Sequence, residues 1–298
     1  MKMSDFAENV LAIVRDKADG TFNAWLTASE KNNGIMLTGI TTVCHDRNIG
    51  PCIYLDSYYE NYRNGDMTID EVAESVYGNI MERRNHVPDF NVADFLRWDS
   101  IKTSIRAKLV NAELNKHQLF RIPHRLFMDL AVVYYIRVDE VENGVGTILI
   151  QNDHMKLWEQ DEIALYEAAM TNMKISGNIM FEDIMSFISQ CSRTEKDKEA
   201  PENFRMYVLT NRSKCFGASG ILDQSMLNRI SERLGNFIVL PSSIHEVIVI
   251  PENEDMGDYS GLAEMVKEIN VAAVLPEERL SNHVYVYSRE NENLRIAA

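Results

Sequence analysis

The feature that most narrows the fold is the Asn33-Gly34 pair, set between two β-like runs at residues 22–29 and 35–43. Both residues accept positive φ, as a tight turn between antiparallel strands requires, so the pair predicts a β-hairpin. Around it the apolar spacing changes. Phe6, Val10, Ile13 and Val14 recur at helical intervals ahead of the hairpin. A third short run at 52–55 follows Gly50-Pro51, then an aromatic segment, DSYYENYRNG, closes at Gly65. Thr68 and Glu71 have capping-box spacing and open a helix with Ile69, Val72, Ala73, Val76 and Ile80 on one face. The order predicted for this part is α-β-β-β-α-α.

Further along, Ile101, Ile105, Leu109 and Ala112 have the spacing of an amphipathic helix over 99–115, with Lys102, Arg106 and Lys108 on its polar face. A second hairpin is expected from 130–138 and 147–150, turning near Asn143-Gly144, with a helix after Asn152 or Asp153 running to about Asn172. The polar stretch SRTEKDKEAPEN, residues 192–203, has the composition of a linker and divides the chain into expected domains 1–191 and 204–298. Beyond it strands are predicted at 206–210, 218–222, 237–240, 246–250, 283–287 and 294–296, with helices at 223–234 and 260–273. That β-β-α-β-β-α-β-β order, with YVLTN (207–211) and IVLPS (238–242) in equivalent places, suggests a duplicated ββα unit. Short strands with intervening helices indicate an α+β class rather than a doubly wound parallel sheet.

Composition limits the function classes. The chain of 298 residues has a net charge of −15, which argues against general attraction to nucleic acid or to anionic membranes. Its longest strongly apolar stretch, 130–136, is too short to cross a bilayer, and the N-terminus lacks the pattern of a secretory signal. The expected location is therefore cytoplasmic. Four scattered cysteines without CxxC spacing fit reduced thiols. Cys44, His45 and Cys52 lie in a strand-like pattern that turns adjacent side chains to opposite faces, so no metal site is expected there. No cofactor is expected either, because GxxxxGK[ST] and GxGxxG are absent. The one basic island is 91–128, with seven basic side chains against three acidic.

Candidate site residues follow from local chemistry. In LPSSIHEVIVIP, Ser243 and His245 are two apart and share one face of an extended backbone, while Glu246 faces the other way. Such a pair could activate a nucleophile for hydrolysis or group transfer, given a third group to orient the ring. The plainer reading is a polar turn in which serine bonds backbone and histidine bridges to a neighbour. His124 and Arg125 form a second cluster, where arginine could clamp a phosphate or carboxylate or pair with a carboxylate of the chain itself. Lys102 and Arg106, in the basic stretch 97–125, are the candidates for nucleic-acid contact.

Several phrases resemble a bacterial family, the domain-of-unknown-function family 5688 of anaerobic Firmicutes. They are IGPCIYLDSYYENYRNG, IPHRLFMDLAVVYYIRV, MYVLTNRSKCFGASGIL, LPSSIHEVIVIP and LPEERLSNHVYVYS, spread over most of the chain. The resemblance brings no activity or site residues with it. The expectation is a cytosolic binding or regulatory protein acting through contacts with another protein. The alternatives are a small hydrolase or transferase using Ser243 and His245, and nucleic-acid binding through 97–125.

Overall fold

A computed structural model describes residues 1–45, 47, 49–84, 91–141, 144–192, 205–253 and 258–298. Its contacts group the chain into two compact units, Met1–Ala93 with Val138–Gly146, and Asp94–Arg137 with Thr147–Ala298. The expected linker lies outside the described residues beyond Ser192, as does Asn143 of the expected turn.

The first unit follows the sequence closely. Helix α1 (Met3–Ala18) buries Phe6, Val10 and Val14. Strand β1 (Asn23–Glu30) pairs antiparallel with β2 (Met36–Val43), and the link at Asn32–Gly34 is a single 3₁₀ turn. Asn33 has φ 62° and Gly34 φ 68°, the left-handed conformation that this dipeptide tolerates. Strand β3 (Cys52–Tyr54) joins β2 antiparallel, completing a three-stranded sheet. Helix α2 (Asp56–Asn64) stops at Gly65, whose φ of 83° breaks the helix. Helix α3 (Ile69–Arg83) begins with the reciprocal Thr68–Glu71 bonds, the Thr68 N–H reaching the Glu71 carboxylate at 2.8 Å. Its Val72, Ala73, Val76 and Ile80 join Phe6, Val10, Ile40 and Ile53 in one core.

In the second unit, α4 (Val92–Phe95), which starts at the division, and α5 (Trp98–Ile101) lead into β4 (Ile105–Asn111). The helix expected over 99–115 is thus corrected to a helical turn and a strand. Ile101, Ile105 and Leu109 satisfy a period of four, but Ile105, Ala107 and Leu109 equally satisfy a period of two, and seven residue pairs with β6 decide it. After α6 (Lys116–Leu119) come β5 (His124–Phe127), β6 (Leu130–Val141) and β7 (Gly144–Leu149), the end of β6 and the start of β7 being grouped with the first unit. Strand β6 pairs with β4, β5 and β7 in a four-stranded sheet. The single helix expected after residue 152 is two. α7 (Asn152–Trp158) ends where Glu159 turns left-handed at φ 53°, and α8 (Glu162–Ser176) restarts under the Asp161 cap.

Strand β8 (Ile179–Asp183), helix α9 (Ile184–Ser192), strand β9 (Tyr207–Asn211), helix α10 (Gln224–Leu234), strands β10 (Phe237–Leu240) and β11 (Val247–Pro251), helix α11 (Ser260–Ala273) and strands β12 (Tyr285–Ser288) and β13 (Asn293–Ile296) complete the unit. Its antiparallel six-stranded sheet runs β13-β12-β10-β11-β9-β8, so β8, before residues 192–203, lies beside β9, after them. Residues 218–222, expected as a strand, fall instead in a 3₁₀ helix, Gly217–Leu222. Ala218 and Ile221 bury at the three-residue spacing of that helix, and Gly220 packs where a Cβ would lie 3.3 Å from Leu209. The C-terminal order after β9 is therefore α-β-β-α-β-β, and the suggested ββα repeat is not completed in its first copy. The overall class is α+β, with three sheets among the described residues.

Candidate functional site

The segment that carries Ser243 and His245 is zipped to a second stretch of chain. Ile244 N–H donates to Glu278 O at 2.9 Å, Leu280 N–H to Ser242 O at 3.0 Å and Ser281 N–H to Pro241 O at 2.8 Å. Ser243 is buried, and its Oγ accepts the backbone N–H of His245 at 3.0 Å. The imidazole is engaged at both nitrogens: Nδ1 accepts the Phe216 N–H at 3.2 Å, and Nε2 lies 3.4 Å from the Glu278 carboxylate. Its ring stacks on Phe216 with centroids 5.7 Å apart. Glu246 is held by Ser243, while burial pushes its carboxyl above the usual carboxylate range. The serine hydroxyl and the imidazole are thus committed to holding the turn rather than to each other.

A second serine–histidine pair, which sequence reasoning passed over, lies on the zipped stretch itself. The Ser281 hydroxyl donates to Asp129 Oδ2 at 2.7 Å, and His283 Nδ1 is 3.0 Å from the same oxygen. The buried Tyr285 hydroxyl donates to Asp129 Oδ1. His283 N–H donates to Ser281 Oγ at 3.0 Å, repeating the turn geometry of Ser243 and His245. The signal was present in the sequence, since Ser281, His283 and Tyr285 alternate and so share a face, as Ser243 and His245 do. Serine and aspartate meet the same imidazole nitrogen here, whereas a relay would use opposite ones. The carboxylate is the hub of a partly buried junction.

Arg125 and His124 fall at the start of β5. Arg125 Nη2 donates to Glu162 at 3.0 Å, its guanidinium covers the Tyr166 ring at 3.9 Å, and Tyr134 donates its hydroxyl to the same Glu162. Exposed His124 has its Nδ1 3.0 Å from Ile122 O. Lys102 forms an exposed ion pair with Asp99 at 2.6 Å.

Arg106 is placed differently. Alternation along β4 turns Arg106 and Lys108 away from Ile105, Ala107 and Leu109, and the register sets Arg106 opposite Tyr135 of β6. Arg137, two residues on in β6, shares that face. There Arg106, Tyr135 and Arg137 line a narrow cleft with Asn178, Ser213 and Ser219, whose cavity volume is about 60 Å³. Arg106 Nη1 donates to the carbonyls of Thr103 at 2.8 Å and Ile105 at 2.9 Å, which fixes the guanidinium plane. Burial first, and the like charge of Arg137, lower the affinity of Arg106 for its proton, partly offset by Tyr135. Burial drives the Tyr135 hydroxyl far above the usual phenol range.

The far wall of the cleft is the loop from β9 into the 3₁₀ helix. Asn211 latches it, donating Nδ2–H to Cys215 O at 2.7 Å and accepting the Cys215 N–H and the Ser213 hydroxyl. Lys214 and Phe216 sit at φ 51° and 56°. Gly217 fits where a Cβ would lie 2.4 Å from Thr210 Oγ1 and 2.6 Å from His245 O. The Lys108 ammonium rests 4.6 Å over the Phe216 ring. Two of the sequence candidates therefore meet around one loop: Arg106 lines the cleft, and His245 props the loop from behind through Phe216.

Fold and cleft together define an α+β protein with a cationic pocket on the face of its four-stranded sheet. The chain belongs to the family of unknown function DUF5688, whose pattern it matches over residues 3–289. No curated protein and no solved structure matches it. Among the described residues, no helix is long and apolar enough to cross a membrane.

Proposed function

We propose that this chain is a binding protein whose ligand is a small polar molecule seated in the Arg106 cleft. The observation that carries this reading is the chemistry of the lining. General acid–base catalysis needs a group that titrates near the working pH. Among the described residues, the ionisable groups of the lining are two guanidiniums, which stay charged, and one tyrosine held protonated by burial. Among the described residues, no carboxylate, imidazole or thiol lines it. Such a set can hold and orient a ligand but has no base to move a proton. The two serine–histidine pairs support the same reading, because their hydroxyls are already bonded within the fold.

This keeps a binding role and shifts the partner from a protein to a small molecule. A cytoplasmic setting is part of the proposal, supported by the unbonded thiols of Cys44, Cys52 and Cys215. The test is a thermal-shift panel of small acids, sugars, amines and nucleosides on the full chain and on Arg106→Leu. The reading expects at least one compound to raise the melting temperature of the wild type and to lose that effect in the variant. A panel with no stabilising compound, or one whose stabilisation survives Arg106→Leu, would sink it.

A further inference from the structure

We infer that the ligand of this cleft is a small α-hydroxy monocarboxylate, its carboxylate held by Arg106 and Tyr135 and its hydroxyl by a serine oxygen. The inference rests on the cleft being a ligand site and adds the chemistry of the ligand. Its first support is a positive charge with no negative one beside it. Arg106 is half-buried, and its bonds within the fold both run from Nη1 to neutral carbonyls, those of Thr103 and Ile105. No described carboxylate pairs with it, although a charge drawn out of water is ordinarily matched by an opposite one. With the Nη1 protons spent, the edge left over is Nε with Nη2, a fork that takes a carboxylate through two parallel bonds. The chain as a whole, at −15, repels anions, so affinity for one has to come from such a local, partly shielded cation.

The second support is a buried donor without a partner. Tyr135, 8% exposed, stands opposite Arg106 in the β4–β6 register, and its hydroxyl bonds no described residue. A phenol O–H removed from water costs free energy unless something accepts from it. A carboxylate oxygen held by Arg106 supplies that acceptor. The rest of the lining sets what stands beside the carboxylate. Ser176, Ser213 and Ser219 have given their hydroxyl protons to Met173 O, Asn211 Oδ1 and Phe216 O, each at 2.9 Å, so their oxygens keep lone pairs for a donor of the ligand. Among the described residues, no carboxylate of the lining would offset the repulsion between an ammonium and Arg106, whereas a neutral hydroxyl meets no such repulsion. A water molecule takes up about 30 Å³ in the liquid. The cavity, about 60 Å³, has the volume of about two: the head of a small acid fits it, and a sugar ring or a nucleoside does not.

Titration calorimetry of the full chain at low ionic strength, with glycolate, acetate, glycolamide and glycine, tests each part. Glycolate should bind saturably and about fivefold more tightly than acetate, which lacks the hydroxyl. Glycolamide keeps the shape without the charge and should bind at least about tenfold more weakly than glycolate. Glycine, with an ammonium in place of the hydroxyl, should also bind more weakly. Arg106→Gln should weaken glycolate about tenfold or more, and Arg106→Lys, which keeps the charge but not the fork, by a smaller factor. Tyr135→Phe keeps the ring that packs on Phe216 and should weaken glycolate about fivefold. The inference is overturned if glycolate does not bind saturably or if acetate, glycolamide or glycine binds as tightly. It is equally overturned if Arg106→Lys and Tyr135→Phe, both folded, bind glycolate as the wild type does. Should another compound of the thermal-shift panel bind and depend on Arg106 while glycolate fails, only the hydroxy-acid assignment falls. If nothing binds, the cleft reading falls with it.

Discussion

Replacing Asp129 with alanine tests whether the junction at β12 is held by one carboxylate. Asp129 follows the left-handed Met128 in the turn between β5 and β6 and accepts from Ser281, Tyr285 and the His283 ring. Tyr285 is fully buried, so its hydroxyl would lose a charge-assisted bond and gain no water, a cost of about 2 kcal/mol. Ser281, 4% exposed, adds about 1 kcal/mol. The half-exposed imidazole finds solvent and adds little. The sum is about 3 kcal/mol, confined to the second unit. A urea titration followed by tryptophan fluorescence in a Trp25→Phe background isolates that unit, since Trp98 and Trp158 are then the only indoles. The double variant Asp129→Ala with Tyr285→Phe removes the orphaned hydroxyl and should recover about 1–2 kcal/mol relative to additivity. A single-variant cost below about 1 kcal/mol, or strict additivity of the pair, would refute the argument.

The first unit has its own lever: Thr68→Ala breaks the reciprocal cap of α3 and should cost about 1 kcal/mol, read as an earlier Trp25-reported transition with no change in cleft binding. An unaltered midpoint would show that the cap is dispensable. Glu246→Gln acts through pH. Burial raises the folded carboxyl's pKa above its unfolded value, so its contribution to stability is fully present below the unfolded pKa and lost as pH rises through the folded one. The variant should therefore be more stable than the wild type near pH 7, with the gap closing below the ordinary carboxylate range. A gap that widens on acidification would reverse the sign assigned here.

Local rules carried the sequence reading where one signal stood alone. Asn33-Gly34, Gly65 and the Thr68–Glu71 box each act within a few residues, and the first unit follows them in order. The reading failed where two periods fitted the same residues. Ile101, Ile105 and Leu109 satisfy a helix, and only the partner strand β6 makes Ile105–Asn111 extended. Gly217–Leu222 is apolar enough for a strand, but two glycines allow it to wind tightly against Leu209 and Thr210, contacts made by a different strand. Strands β5 and β8 are too short to announce themselves by alternation.

The site was legible in fragments. Arg106 and His245 each stood out, yet their meeting around residues 211–217 depends on a register and a loop that no local pattern encodes. Tyr135 and Arg137 read as part of an apolar strand, because the face they occupy is set by pairing with β4. The charge count pointed to 91–128 as basic without separating Lys102, spent on Asp99, from Arg106, turned into the cleft.

The most direct test of the cleft as the ligand site is amide hydrogen exchange of the full chain with and without a saturating concentration of the compound that most stabilises it in the thermal-shift panel. Binding in the cleft predicts slowed exchange in peptides covering β4, the end of β6 near Arg137 and residues 211–220, with the first unit's β1–β2 hairpin unchanged. Protection that appears elsewhere while these three segments exchange at their free rates would contradict it.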